Sequence, residues 1–373
     1  MKHRKTAALQ SLAFAAAFLC TALTGCSQTA KPSESAPEQS IAEITTAMPE
    51  TTLSAVSETT VASEPEEPAR FTFQPKVCSD LIRETIGETM CETWYQMVDA
   101  MMEGKESFAC PDQETFDWVI GQFPALCFPV VQDMVSRSLI REPYFEDGIA
   151  YFSYTVPKEE FKEKVDQFAE LIENILNETM KPDYTDFEKA YALYQYFTEN
   201  YTYDRDHYNT LQTDILNARE SSACHIFYDK TGICTEIASA YTYLLMQAGV
   251  NATVMSGECA YDGIGHAWSF IELDGKYYHI DPTFALGSNT LGYFLMTDAE
   301  RENGGEFPID TYIITSCYTQ EHEAPVYHAD DETFAFLWRT RISEIDREQK
   351  MLSVWKDNEE GNPELKQFSY KGY

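Results

Sequence analysis

The sequence predicts an α+β fold in which a helix beginning at Cys234 packs on an antiparallel sheet, with an accessory α/β region on its N-terminal side. Two stretches carry most of that expectation. In "TGICTEIASAYTYLLMQAG", Ile237, Tyr241, Leu244, Leu245 and Ala248 recur at helical spacing, and Gly249 suits the left-handed position just past a helix end. In "GHAWSFIELDGKYYHIDPTF", alternating aromatic-rich runs flank Asp274-Gly275, the signature of a two-residue hairpin with a type I′ turn. At 373 residues the chain has room for about two domains with a sizeable core.

The accessory α/β region spans residues 71–184. Ile82, Ile86, Met90, Trp94, Met97 and Met101 fall on one helical face. After Asp147-Gly148 comes the strand-like "IAYFSYTV", and after Pro157 a second helical stripe of Phe161, Val165, Phe168, Leu171 and Ile175. These are core spacings and offer no chemistry. The next region, residues 185–318, opens on "TDFE", a capping box with Thr185 as N-cap and Glu188 three residues on. Its stripe of Phe187, Ala190, Leu193 and Phe197 runs to "NYTYD". From there to Ile233 the chain reads as a long polar, irregular connection, uncommon unless functional. Asp204, Asp206 and His207 within it read as solvated loop residues. No second ligand pair stands at zinc spacing and no calcium loop is complete, so neither a metal nor a cofactor is expected. Residues 319–373 are expected to form a helical extension, on the amphipathic pattern of "FAFLWRTRISEI", and a polar tail.

The helix pattern places Cys234 at a helix start, where unpaired backbone N–H groups and the helix dipole favour a thiolate. A cysteine there is more often a small buried residue, so a base is needed to alter the reading. The hairpin supplies one. With Asp274 and Gly275 as the central pair, Leu273 faces Lys276, Phe270 faces His279 and Trp268 faces Asp281. His266, Trp268, Phe270, Tyr277, His279 and Asp281 then share one face. His266 becomes the diagonal neighbour of Asp281, at about 7–8 Å between backbones, near enough for a side-chain hydrogen bond. His279 is the rival base, yet opposite Phe270 it suits a packed or hydrogen-bonded histidine. Trp268 suits a core aromatic or a pocket-lining wall rather than a catalytic group.

A thiol at a helix start and a histidine oriented by an aspartate are what acyl transfer through a thiol requires. Together these stretches resemble the transglutaminase-like superfamily, whose pattern is a Gly-x-Cys helix start, a Gly-His-Ala-Trp strand and an aspartate-proline strand end. "FTENYTYD" upstream and "YFLMTDAER" downstream resemble its flanking segments, so the resemblance covers roughly residues 185–300. It implies a papain-like core, with Cys234 as nucleophile, His266 as general base and Asp281 as the orienting acid. The implied chemistry is attack on a peptide or carboxamide carbonyl and release of an acyl-thioester intermediate to water. Capture by a second amine, which crosslinks proteins, is the alternative outcome. A surface binding module without turnover is the reading from another class.

The N-terminus bounds where this would happen. Lys2, Arg4 and Lys5 precede an apolar run from Leu12 to Leu23 that ends in Leu23-Thr24-Gly25-Cys26, resembling a lipoprotein signal with its lipobox. Residues 1–25 are expected to be cleaved and Cys26 lipidated, leaving the protein anchored to a bacterial membrane on its extracytoplasmic face. Residues 27–70 contain no aromatic, glycine or cysteine and are rich in Ser, Thr, Glu, Ala and Pro, so they read as a disordered stalk. Net charge is −34, and loss of the signal's three bases and no acids takes it to −37. A nucleic-acid partner is excluded on that charge. The expected partners are a peptide, protein or cell-wall peptide substrate and the membrane. Of ten cysteines, Cys20 leaves with the signal and Cys26 carries lipid. The remaining spacings assign no disulfide pairing.

Overall fold

The computed structural model describes residues 69–121, 143–259, 264–303, 312–316 and 327–373, save positions 155, 215, 220 and 222. The signal segment, Cys26 and the stalk to residue 68 lie outside the described residues. Ser79 opens helix α1 (Asp80–Ile86), its Oγ accepting from the Ile82 N–H at 3.1 Å. Gly87, at φ +90°, turns the chain into α2 (Glu88–Met102), so the apolar stripe from Ile82 to Met101 is shared by two helices. Strands β1 (Ser107–Ala109), β2 (Tyr144–Glu146) and β3 (Ile149–Tyr151) form a small antiparallel sheet in the order β1-β3-β2, with α3 (Gln113–Gly121) between the first two in sequence. The strand expected over "IAYFSYTV" is confined to its first three residues. Helix α4 (Lys158–Thr179) buries Phe161, Val165, Phe168 and Ile175, while Leu171 is half-buried.

Helix α5 (Asp186–Asn200) starts on the capping box, with both the Thr185 and the Glu188 side-chain bonds present. The connection beyond it is not irregular. It folds as β4 (Thr202–Tyr203), α6 (Arg205–Thr213), α7 (Ala223–Asp229) and β5 (Thr231–Gly232), and β4 pairs in parallel with β5. Asp204 is the N-cap of α6, accepting from the His207 N–H at 2.8 Å, and His207 is buried against Ser221. The expectation of solvated loop residues fails at Asp204 and His207 because a polar sequence hides two short helices, the first capped by Asp204.

Helix α8 (Cys234–Gln247) lies at the centre of the core. It crosses α5, where the Tyr241 hydroxyl donates to the Ala190 carbonyl at 2.8 Å. It also packs on a four-stranded antiparallel sheet of β6 (Ala252–Cys259), β7 (Gly265–Leu273), β8 (Lys276–Ile280) and β9 (Tyr312–Ser316), ordered β8-β7-β6-β9. The hairpin register is the one read from the sequence: Leu273 pairs with Lys276 and Phe270 with His279. Asp274 and Gly275 take φ +50° and +75°, as a type I′ turn requires. Ser269 faces α8, its hydroxyl bonded to Thr242 at 2.8 Å. By alternation His266, Trp268 and Phe270 lie on the other face. There α1 covers the sheet through an apolar cluster of Leu81, Phe270 and Ala329.

The C-terminal segment corrects the expectation of a helical extension and polar tail. Residues 340–369 form a three-stranded antiparallel sheet, β10 (Thr340–Asp346), β11 (Met351–Asp357) and β12 (Pro363–Ser369). Arg339, at φ +66°, ends the helical pattern of "FAFLWRTRISEI", and the β-branched residues after it find a strand partner that a local period cannot reveal. This sheet is tied to the rest of the molecule. Tyr370 is fully buried, stacks on Phe187 at 4.6 Å, and its hydroxyl and the Lys350 ammonium both donate to Glu188 at 2.9 Å. One continuous hydrophobic core runs from α2 and α4 through α5 and α8 to Leu352, Val354 and Tyr370, so the boundary drawn at residue 184 separates sequence patterns rather than separate cores. Among the described residues no helix is long and apolar enough to cross a membrane.

Candidate active site

The short β4–β5 bridge sets the start of α8. It brings Asp204 beside Gly232, whose carbonyl accepts from the Asp204 N–H at 2.9 Å. Cys234 is the first residue of α8, so its N–H has no partner within the helix. Two residues on, the Glu236 carboxylate turns back to accept from the Ile233 N–H at 3.0 Å. Glu236 is buried, and its charge is met by Arg219, which bonds Glu236 Oε2 and Asp204 Oδ2 at 3.0 Å each. A Cβ on Gly232 would lie 3.1 Å from Glu236 Oε2 and 3.0 Å from Ile226, so only glycine leaves room for this brace. Arg219 and Glu236 were not legible as site residues. A capping box is recognised by Ser, Thr, Asp or Asn at the N-cap, and here that position is Ile233.

At the start of β7 the imidazole of His266 hydrogen-bonds Asp281, with His266 Nε2 2.7 Å from Asp281 Oδ2, and it lies near enough to the Cys234 sulfur to feel its charge. His266 is buried and Asp281 fully so. Burial alone would lower the imidazole's pKa, but the Asp281 charge, the nearby Cys234 sulfur and the hydrogen bond to Asp281 outweigh it and push it up to about 9. Burial would raise the Asp281 pKa, but His266 and Arg301 hold it below the usual carboxylate range. Its other oxygen accepts from the Thr283 N–H at 3.1 Å, so Asp281 also caps α9 (Pro282–Ala285) and its rotamer is held from two directions. Phe284 packs on the imidazole at 4.8 Å.

Arg301, on α10 (Asp298–Glu302), is a further member absent from the sequence reading. It is fully buried, its Nη2 is 3.4 Å from Asp281 Oδ2, and its guanidinium stacks over Trp268 at 4.6 Å. Of the two readings of Trp268, the core aromatic holds and the pocket-lining wall does not. Trp268 is fully buried between the His266 ring, 5.8 Å away, and Arg301, a backing that only the packing of α10 creates. The Trp268 indole N–H donates to His279 Nδ1 at 2.8 Å, leaving Nε2 to carry the proton toward Asp298 Oδ1 at 2.9 Å. Burial pushes His279 down in pKa against the pull of Asp298. A fully buried, neutral imidazole with both nitrogens engaged is a structural group, and it does not compete with His266 for the thiol.

Comparison with known proteins follows the same lines. Residues 173–282 match the profile of the transglutaminase-like superfamily. Among solved structures the chain is similar to one described as a TGase, at 19% identity over 56% of this chain and 61% of that one, with a TM-score of 0.30. It is also similar to a putative cysteine protease from Cytophaga hutchinsonii, at 14% identity over 39% of this chain and 62% of that one, with a TM-score of 0.25. A third is Legionella pneumophila LapG, at 16% identity over 34% of this chain and 62% of that one, with a TM-score of 0.21. The chain thus spans about three-fifths of the length of each of these structures, and likeness at this level carries no statement of activity. Among curated proteins none matches the chain. Residues 173–282, which contain Cys234, His266 and Asp281, match the transglutaminase-like superfamily core, and the helices and antiparallel sheets of the chain are of the α+β class.

Proposed function

We propose that this chain is a thiol acyl-transfer enzyme that hydrolyses peptide or carboxamide bonds. The observation that carries the reading is the placement of the imidazole: His266 bonds the buried Asp281 carboxylate and lies beside the Cys234 sulfur. His266 takes the proton of Cys234, and the thiolate attacks the substrate carbonyl, whose developing oxyanion is met by the Cys234 N–H. The imidazolium then gives its proton to the departing amine, leaving an acyl-thioester. Water, deprotonated by His266, attacks the thioester and releases the acid. Among the described residues no feature marks a second amine-binding position, and water is always abundant, so water is the favoured acceptor.

Two measurements test this. Alkylation of Cys234 by iodoacetamide should be fast in the wild-type protein and much slower in His266→Ala, and equal rates would favour a binding module instead. Profiling on a peptide library with and without an added primary amine separates hydrolysis from transamidation. The pH dependence has a definite sign. The imidazolium must persist to protonate the leaving amine, so kcat/KM should fall as pH rises through about 9, where His266 loses its proton. In Asp281→Asn the carboxylate charge that raises this pKa is gone, so the alkaline limb should move to lower pH; an unmoved limb refutes the assignment.

We further propose that the enzyme works at a membrane surface, held by lipid on Cys26, on the strength of the Leu23-Thr24-Gly25-Cys26 sequence. Cys26→Ser should release the protein into the soluble fraction, and retention on membranes overturns the proposal.

A further inference from the structure

Cys78 and Cys91 lie far from the chemistry of Cys234 but close to each other. Cys78 immediately precedes Ser79, the N-cap of α1, and Cys91 sits in the first turns of α2, beyond the sharp turn at Gly87. Their Sγ atoms are 3.2 Å apart. That is closer than ordinary van der Waals contact between sulfurs and about 1 Å longer than a disulfide bond. Cys91 is fully buried and Cys78 half-buried, so the pair has one face reachable from solvent and one locked in the core. We propose that Cys78 and Cys91 are a disulfide pair, closed by oxidation of the folded chain.

The step needs an external disulfide, such as oxidised glutathione, as electron acceptor. The Cys78 thiolate attacks one sulfur of that reagent, forming a mixed disulfide and expelling a first small thiol. The Cys91 sulfur then attacks Cys78 Sγ, the new Sγ–Sγ bond forms, and a second small thiol leaves. The two cysteines lose two protons and two electrons, and the reagent gains both. The hydrogen bond to Cys78 and burial together hold Cys91 in its thiol form, which makes the more exposed Cys78 the first to react.

The bond would close a short loop that contains the whole of α1. That helix buries Ile82 and Ile86 in the main core, bonds Glu88 and Tyr95 through Arg83, and meets the sheet through Leu81 against Phe270 and Ala329, the Leu81 N–H to Asn251 Oδ1 at 3.0 Å, and Glu84 to the Tyr327 hydroxyl. Tying the residue before its N-cap to α2 secures the cover over the sheet face that carries His266, Trp268 and His279. Closing a loop of this length should raise the melting temperature by about 5 °C.

The test is peptide mapping of the full-length wild-type protein after incubation with oxidised glutathione and alkylation of remaining thiols. A crosslinked Cys78–Cys91 peptide, lighter by two hydrogens than the sum of the two thiol peptides and abolished by reductant, is the expected result. Recovery of Cys78 and Cys91 alkylated, or of either joined to another cysteine, overturns the proposal. The mapping needs no variant to fold and no substrate, so it stands apart from the test of catalysis. As a second readout, reductant should lower the wild-type melting temperature and leave that of Cys78→Ser unchanged; an equal shift in both places the effect at some other bond and also counts against the pair.

Discussion

Cys234→Ala should abolish turnover, by about 10^4-fold or more, in a protein that still folds. The thiol is the covalent centre of the proposed route, and no neighbouring group can replace it. Alanine removes a single sulfur at a residue only 8% exposed, at a helix start whose brace runs through Glu236 and Arg219 rather than through the thiol, so folding should survive. His266→Ala should cost nearly as much, because the thiol loses the group that takes its proton. Asp281→Asn should be milder, about 10^2- to 10^4-fold: asparagine can still cap α9 and contact the imidazole but withdraws its charge. The three groups act as one unit, so the double variant His266→Ala, Asp281→Asn should be scarcely slower than His266→Ala alone. Turnover on a substrate found by profiling, with melting temperatures measured in parallel, is the check. Substantial turnover in folded Cys234→Ala, or fully additive losses in the double variant, would refute the thiol mechanism.

The second large effect is on stability. Arg301→Leu should destabilise the protein by about 3–5 kcal/mol, because it leaves the fully buried Asp281 carboxylate with one charged partner where it had two. The leucine also loses the guanidinium plane that stacks on Trp268. Arg301→Lys keeps the charge but not the planar contact, so it should fall between the two. If the loss comes from a stranded carboxylate, Arg301→Leu combined with Asp281→Leu should be more stable than the sum of the single losses predicts. Urea unfolding of wild type, Arg301→Leu, Arg301→Lys, Asp281→Leu and the double variant at neutral pH reads this directly. An Arg301→Leu protein within 1 kcal/mol of wild type would show that the guanidinium does not support Asp281.

The hairpin around Asp274-Gly275 was legible because its determinants are local. A turn that demands positive φ at adjacent residues fixes the register, and the register alone decides which side chains are neighbours across the strands. His266 and Asp281 therefore met as counted. The helix from Cys234 and the capped helix from Thr185 were legible for the same reason, since an apolar period and a cap are written within a few residues. Tertiary structure decided what depends on distant partners. Glu236 had no cap signature, and its role appears only when β4–β5 pairing brings Asp204 and Arg219 to it. Arg301 read as an ordinary helix residue until α10 packed it, fully buried, between Trp268 and Asp281. The segment after Arg339 carried an apolar spacing that suits a helix or a strand, and its strand partners settled the choice. Spacing along the chain specifies which face a side chain takes; the charges and rings that surround it in the core come from segments remote in sequence, and those set the pKa of a buried imidazole.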